Sequence, residues 1–308
     1  MALNELQRRV LRLKEEKNAI LLAHNYQVPE IQVIADHLGD SLELCIEAQR
    51  AEDADMIVFC GVDFMAETAA ILNPGKKVVI PSQKACCPMA AMLPMSRLIE
   101  AKKRHPGAPV VLYVNTLAEA KAEATVTCTS ANADRIVRRL DTDTVIFGPD
   151  RNLAYFVGKR VPGVEIIPVP EDGHCNVHRF IGDGDEAMEL KKRYPGSEVW
   201  AHPECEPAFQ DRADYVLSTG GMVRRARESG AEVFIVGTEL GLIDRLDREN
   251  PGKTFLPAKR FAECGAMKRI TLEGLYAALV NEEPVVTVQE DVASRARQAI
   301  ERMLELSV

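Results

Sequence analysis

The 308-residue chain has no excess of basic charge: 38 Lys and Arg stand against 46 Asp and Glu, for a formal net charge of −8. Nucleic acids and anionic membranes are bound through basic footprints, so neither is an expected partner. Long apolar runs are also missing. Stretches such as "VVLYV" at 110–114 fall far short of the roughly 20 residues a membrane span requires. The first residues carry Leu3, Leu6, Val10 and Leu13 on one face among charges, which reads as a packing helix and not as the apolar core of a signal peptide. The expected setting is cytoplasmic.

Nor is there any Cys-x-x-Cys pair. The cysteines at 45, 60, 86, 87, 128, 175, 205 and 264 are too sparse for a disulfide scaffold, and a reducing compartment would keep them free. The plain reading of a single free cysteine is a small buried hydrophobe. Any shared metal centre would have to be assembled by the tertiary fold.

What the chain does contain is a hidden three-fold repeat. Strand-like stretches "AILLAHNY", "PVVLYVNT" and "EVWAHPEC" carry His24, Tyr113 and His202 at matching places, 89 and 89 positions apart. Ser41, Ser130 and Thr219 follow in the same register, again 89 and 89 apart. Apolar strands then align Phe59, Phe147 and Ile235, and a Pro-Gly turn follows in each copy at 74–75, 162–163 and 251–252. Buried runs rich in Val and Ile that alternate with helical stretches predict an α/β fold of three pseudo-three-fold-related units, each a small parallel sheet with helices on both faces. The expected domains are 1–86, 87–174 and 175–267. A tail, 268–308, reads as helix, short strand, helix and is expected to pack back on the first unit.

Parallel α/β sheets place ligands beyond the carboxyl ends of their strands. Copies facing one another about an axis would therefore bring His24, Tyr113, His202, the three hydroxyls and a cysteine from each copy into one cavity. The last strand of each copy runs into a loop ending at Cys87, Cys175 or Cys264, spaced 88 and 89. Cys86 fits the spacing as well as Cys87 does. Three thiolates suit either a zinc ion closed by a fourth ligand or a cubane iron-sulfur cluster with one iron left open. His174 and His178 flank Cys175 and suggest a local zinc site, though the other copies have no equivalent. Ser41, Ser130 and Thr219 read individually as helix N-caps, and together as an anion site at helix N-termini. His24, Tyr26, His202 and Glu204 supply the groups of an acid/base site. "NPGKT" at 250–254 does not make a P-loop, because the first glycine of that motif would fall on Asp247.

"AHNYQVPEIQVIADHLGDSLEL", "GVDFMAETAAILNP", "VVLYVNT", "CTSANA", "VIFGPDRNL", "GHCNVH", "AHPEC" and "STGGM" resemble the quinolinate synthase family, in order, along nearly the whole chain. The resemblance implies three α/β domains around a central [4Fe-4S] cluster, one per chain, held by Cys87, Cys175 and Cys264 with one iron open. It implies condensation of iminoaspartate with dihydroxyacetone phosphate to quinolinate in NAD biosynthesis, with an aspartate-oxidising enzyme as the functional partner. His24, Ser41, Tyr113, Val114, Asn115, Ser130, His202, Pro203, Glu204 and Thr219 would then contact substrate. Tyr26 and Glu204 would move protons, assisted by His24 and His202. Cys86 departs from the family loop, which has a single cysteine there. An iron-sulfur hydro-lyase acting on a small hydroxy acid and a non-enzymatic iron-sulfur sensor are the rival readings.

If the three-loop reading holds, Cys175→Ala and Cys264→Ala abolish iron binding, whereas Cys45→Ala, Cys60→Ala and Cys86→Ala retain it. Iron and acid-labile sulfide per anaerobically purified chain measure this; equal loss in all five would mean that core cysteines had been taken for ligands.

Overall fold

The computed structural model describes residues 3–307. Its first sheet contains β1 (Ala19–His24), β2 (His37–Gly39), β3 (Met56–Cys60) and β4 (Lys77–Val79). The second contains β5 (Val110–Tyr113), β6 (Val126–Cys128), β7 (Thr144–Gly148) and β8 (Glu165–Pro168). The third contains β9 (Glu198–Ala201), β10 (Tyr215–Val216), β11 (Val233–Gly237) and β12 (Thr254–Pro257). All pairings within them are parallel, and the strand order is the same three times: β2-β1-β3-β4, β6-β5-β7-β8 and β10-β9-β11-β12. Parallel neighbours need crossovers, which the intervening helices provide. β3 is buried along its whole length, as expected for a strand covered on both faces.

Pairing refines one expectation from the spacing. Phe59 lies opposite Leu22 and Phe147 opposite Val111, each two residues before the strand-end position. In the third copy Trp200 lies opposite Val236, not Ile235. The one-residue difference matters because side chains alternate between faces.

The amphipathic start forms the helix Glu5–Glu16, capped by Asn4 in a reciprocal box with Gln7 and burying Val10. The helix Leu272–Asn281 packs on it. The last helix, Glu290–Glu305, runs against β6 and the helix Ala118–Lys121 as well as the helix Asp63–Leu72, so the tail spans the first two copies. Its expected short strand is a single antiparallel bridge, Val285 to Val79. Pro284 has no N–H with which to extend the pairing.

A short helix in each copy ends on a side chain that clasps the neighbouring copy. Gln32 Nε2 donates to the carbonyls of Asn25 and Gln27 in its own loop and, at 2.8 Å, to Gly241 in the third copy. Gln210 Nε2 does the same with Pro203, Cys205 and, at 3.1 Å, Asn152 in the second copy. Lys121 Nζ reaches Thr116 in its own loop and Phe64 of the first copy. The three positions are 89 and 89 apart, and the contacts run from first to third, third to second and second to first. All three side chains are buried, so each takes up carbonyls that would otherwise be left dry.

Lys121→Met strands two of those carbonyls and is expected to cost about 1–3 kcal/mol. Lys121→Gln copies the chemistry of positions 32 and 210 and should recover most of that. Urea unfolding of both variants tests this; a Met variant as stable as the parent would remove the clasp from the account.

Candidate active site

The carboxyl ends of the central strands deliver matched residues to one cavity of about 60 Å³. From the first copy it takes His24, Tyr26, Ser41 and Cys87; from the second Tyr113, Asn115, Ser130 and Cys175; from the third His202, Glu204, Thr219 and Cys264. Val114 and Pro203 do not line it. Val114 is packed in the core, and the Pro203 carbonyl is taken by Gln210.

The helix caps fall one residue earlier than the sequence suggests. Asp40 caps the helix Ser41–Arg50 through Leu42 and Glu43, and Ser218 caps the helix Thr219–Glu228 through Gly221. The second copy differs: its helix, Ala133–Arg138, starts behind Asn132, and Thr129 Oγ1 accepts from Ala131 N in the turn before it. Ser41, Ser130 and Thr219 are thereby released from capping and stand on the cavity wall. Thr219 Oγ1 accepts from Asn25 Nδ2 at 2.9 Å.

His24 Nδ1 accepts from the backbone N–H of Tyr26, and His202 Nδ1 from that of Glu204, both at 3.2 Å. This pattern assigns the proton of each neutral ring to Nε2. Burial lowers both histidines to a pKa of about 3, so at neutral pH they are uncharged donors. Glu204 behaves in the opposite way. Burial raises its pKa, but the close approach of His178, then His202 and the hydrogen bond from Tyr113, outweigh it and hold the carboxyl below the usual range. Burial, followed by the Glu204 charge, raises Tyr26 and Tyr113 well above a free phenol. Beside the capping Asp40, the cavity thus holds the Glu204 carboxylate among protonated phenols and neutral imidazoles.

A row of polar groups crosses it, hydrogen-bonded except at the close Glu204–His178 contact, where His178 Nδ1 makes no hydrogen bond. Tyr113 Oη donates to Glu204 Oε1 at 2.6 Å. Glu204 Oε2 lies 2.8 Å from His178 Nδ1. His178 Nε2 is 2.9 Å from Thr238 Oγ1, which is 2.7 Å from Tyr26 Oη. The two groups expected to transfer protons therefore have His178 and Thr238 between them. Sequence reasoning missed Thr238 altogether and read His178 only as a zinc ligand. The signal for Thr238 was its place directly after Gly237, at the carboxyl end of β11. Asn115 Oδ1 is buried with no protein partner, as suits an atom that meets a ligand.

Cys87, Cys175 and Cys264 line both this cavity and an outer, more apolar one of about 350 Å³ that includes Pro88, Val177 and Phe261. Burial is the main cause of their raised thiol pKa values, and they raise one another's: Cys264 acts on Cys87, and both act on Cys175. Three thiols from three loops that line one cavity fit a trithiolate-held cluster. The remaining cysteines stand apart: Cys45, Cys60, Cys128 and Cys205 are buried in the packing, and Cys86 is exposed with its thiol on the Gln83 carbonyl. The local zinc expectation changes in composition. His174 is held by the Asp172 carbonyl and Arg179, whereas Cys175, His178 and Glu204 bring donor atoms within 4.8 Å of one another.

Because His24 and His202 bind protons below about pH 6.5 only when unfolded, their contribution to stability falls as pH drops from 6.5 towards 3 and is constant above. His24→Gln should reduce that slope between about pH 5 and pH 6 by up to about 1.4 kcal/mol per pH unit. Denaturant titrations across that range read it; an unchanged slope would contradict the neutral buried imidazole.

Among the described residues no helix is long and apolar enough to cross a membrane. A profile of the family described as Quinolinate synthetase A protein matches residues 8–305. Quinolinate synthase of Methanothermobacter thermautotrophicus is 58% identical over 305 residues, covering 99% of both chains. That of Thermococcus onnurineus is 55% identical over 307 residues and 100% of both, and that of Pyrococcus furiosus 54% over 303 residues and 98% of both. This chain belongs to the quinolinate synthase family.

Proposed function

We propose that the chain is a quinolinate synthase, condensing iminoaspartate with dihydroxyacetone phosphate to give quinolinate, two waters and inorganic phosphate in the biosynthesis of NAD. The observation that carries this reading is the convergence of three cysteines, three hydroxyls and the His24, Tyr113 and His202 set on one cavity. The hydro-lyase and sensor readings lose ground, since the relatives named above all carry the synthase name.

In this reading Cys87, Cys175 and Cys264 hold a [4Fe-4S] cluster, one per chain. When bound, the cluster supplies an open iron that acts as a Lewis acid on a substrate oxygen. The chain's own residues do the rest. His24 and His202 present Nε2–H to substrate oxygens without adding charge. Ser41 and Thr219, in the first turns of ten-residue helices, suit the carboxylates and the phosphate, since helix N-termini favour anions. An acidic protein can in this way bind an anionic substrate without a basic surface.

Proton transfer falls to Glu204 and Tyr26. Glu204 is ionised and can receive a proton as the new carbon-carbon bond forms. Tyr26 is protonated and can give one to a departing hydroxyl. Thr238 and His178 lie between the pair within a buried site, with Thr238 hydrogen-bonded to both Tyr26 and His178. Asn115 Oδ1 is suited to an N–H of the substrate, a contact for which it has no protein competitor. The imine is short-lived in water, which supports functional coupling to an aspartate oxidase or dehydrogenase. The eight unpaired cysteines support a reducing, cytoplasmic setting.

Anaerobically purified protein given both substrates is expected to form the pyridine dicarboxylate and release phosphate; no dicarboxylate would defeat the proposal. Glu204→Gln should lower kcat by roughly 100-fold or more, as expected for loss of a positioned base, with iron content unchanged.

A further inference from the structure

Each cysteine loop is fastened to a helix start by a backbone contact, joined in the first and third copies by a carboxylate, and the proposed reaction uses none of these. The backbone N–H of Cys87 donates to Asp63 Oδ1, and that of Cys264 to Glu239 Oε1, both at 3.0 Å. Two residues before each cysteine, a loop carbonyl accepts from the same helix start. Ala85 accepts from Asp63 N at 2.8 Å, Gly173 from Arg151 N at 2.9 Å, and Ala262 from Leu240 N at 3.1 Å. In the second copy Asp150 occupies the corresponding place, and the backbone of Cys175 is among the groups acting on its carboxyl. Its Oδ1 caps the helix through Asn152 and Leu153, while its buried Oδ2 makes no hydrogen bond.

The three acids stand in Gly-x-Asp or Gly-x-Glu at 61–63, 148–150 and 237–239, directly after the third strand of each copy. Buried carboxylates are costly to keep, and Asp150 and Glu239 are buried completely. A capping residue alone would not need to recur beside every cysteine loop. Glu239 makes the point most clearly, because it divides its oxygens between Cys264 N and Lys268 on one side and Gly241 N on the other.

We propose that Asp63, Asp150 and Glu239 are positioning residues for the three cluster thiolates. They fix the backbone of each ligand cysteine, so that the sulfurs are presented in one geometry before the cluster arrives and are held there afterwards. Groups that orient metal ligands from behind typically contribute 10–100-fold in metal retention. The inference rests on the cluster reading given above, and concerns only how this chain's residues hold the ligands.

The test is the rate at which reconstituted, anaerobic protein loses iron and sulfide to a chelator, read by the decay of cluster absorbance. Asp63→Ala and Glu239→Met remove the acceptor and should lose the cluster roughly tenfold faster than the parent. Asp63→Asn and Glu239→Gln keep an oxygen for the cysteine N–H and should stay within about twofold of it, a rescue that mere loss of bulk or fold would not produce. Thermal unfolding of each variant is measured alongside, and the two pairs are independent, so failure of one variant to fold leaves the other pair to decide. Parental loss rates in Asp63→Ala and Glu239→Met would overturn the inference, as would amide variants as leaky as the truncated ones. A parent protein that assembles no cluster would instead overturn the cofactor reading, and this inference with it.

Discussion

The ring of clasps formed by Gln32, Lys121 and Gln210 is the constraint on which the site depends. Each side chain ties its own strand-end loop to the helix start of a neighbouring copy. Those loops carry His24 with Tyr26, Tyr113 with Asn115, and His202 with Glu204. The helix starts they reach, at Phe64, Asn152 and Gly241, adjoin Asp63, Asp150 and Glu239. One set of contacts therefore sets both the distance between copies and the place of the residues facing the axis. An apolar core joins the first copy to the second, but apolar packing is not directional. Directional bonds to buried carbonyls provide the orientation, because a misplaced copy would leave them unsatisfied.

The electrostatics follow from the same enclosure. Placing charges on an axis surrounded by protein is expensive, and the site limits that cost by keeping most of its groups neutral. His24 and His202 lose their charge to burial, and the tyrosines keep their protons. Glu204 stays ionised because His178, His202 and Tyr113 surround it. This distribution suits an anionic substrate: uncharged donors do not require counter-ions of their own, and the carboxylates of Glu204 and Asp40 are already occupied by their partners. The second copy departs from its siblings by using a lysine clasp, and Lys121, lowered to a pKa of about 8 chiefly by burial, is placed where Glu67 and Asp63 offset its charge.

Much of this was legible in the sequence because a three-fold repeat leaves arithmetic behind. The 89-residue steps located the strand-end residues, the hydroxyls and the cysteine loops, and the alternation of apolar runs with helical stretches indicated parallel sheets. Three things were not legible. A one-residue difference between copies near Gly61, Gly148 and Gly237 obscured which residue of β11 matches Phe59 and Phe147, since spacing cannot see hydrogen-bonded register. Capping was misassigned by one residue, because Asp40 and Ser218 look no more like caps than their neighbours until the chain direction is known. The clasps escaped notice because glutamine and lysine are ordinary surface residues, and only burial against another copy gives them a role.

The repeat also explains how symmetric architecture holds asymmetric chemistry. Positions 26, 115 and 204 are equivalent, 89 and 89 apart, yet they carry a phenol, an amide and a carboxylate. Positions 24, 113 and 202 carry imidazole, phenol and imidazole. Had every copy kept the same residue at the first set, three carboxylates or three phenols would meet on one axis, and like groups at close range oppose ionisation or leave donors without acceptors. Divergence at those positions lets a base, a proton donor and an amide acceptor occupy one cavity. The thiols and the acids behind the cysteines, which in the proposed reading serve one cluster on the axis, have the same chemistry in all three copies. In that reading the copies are alike where they act on one shared object and differ where they act on different atoms of a substrate.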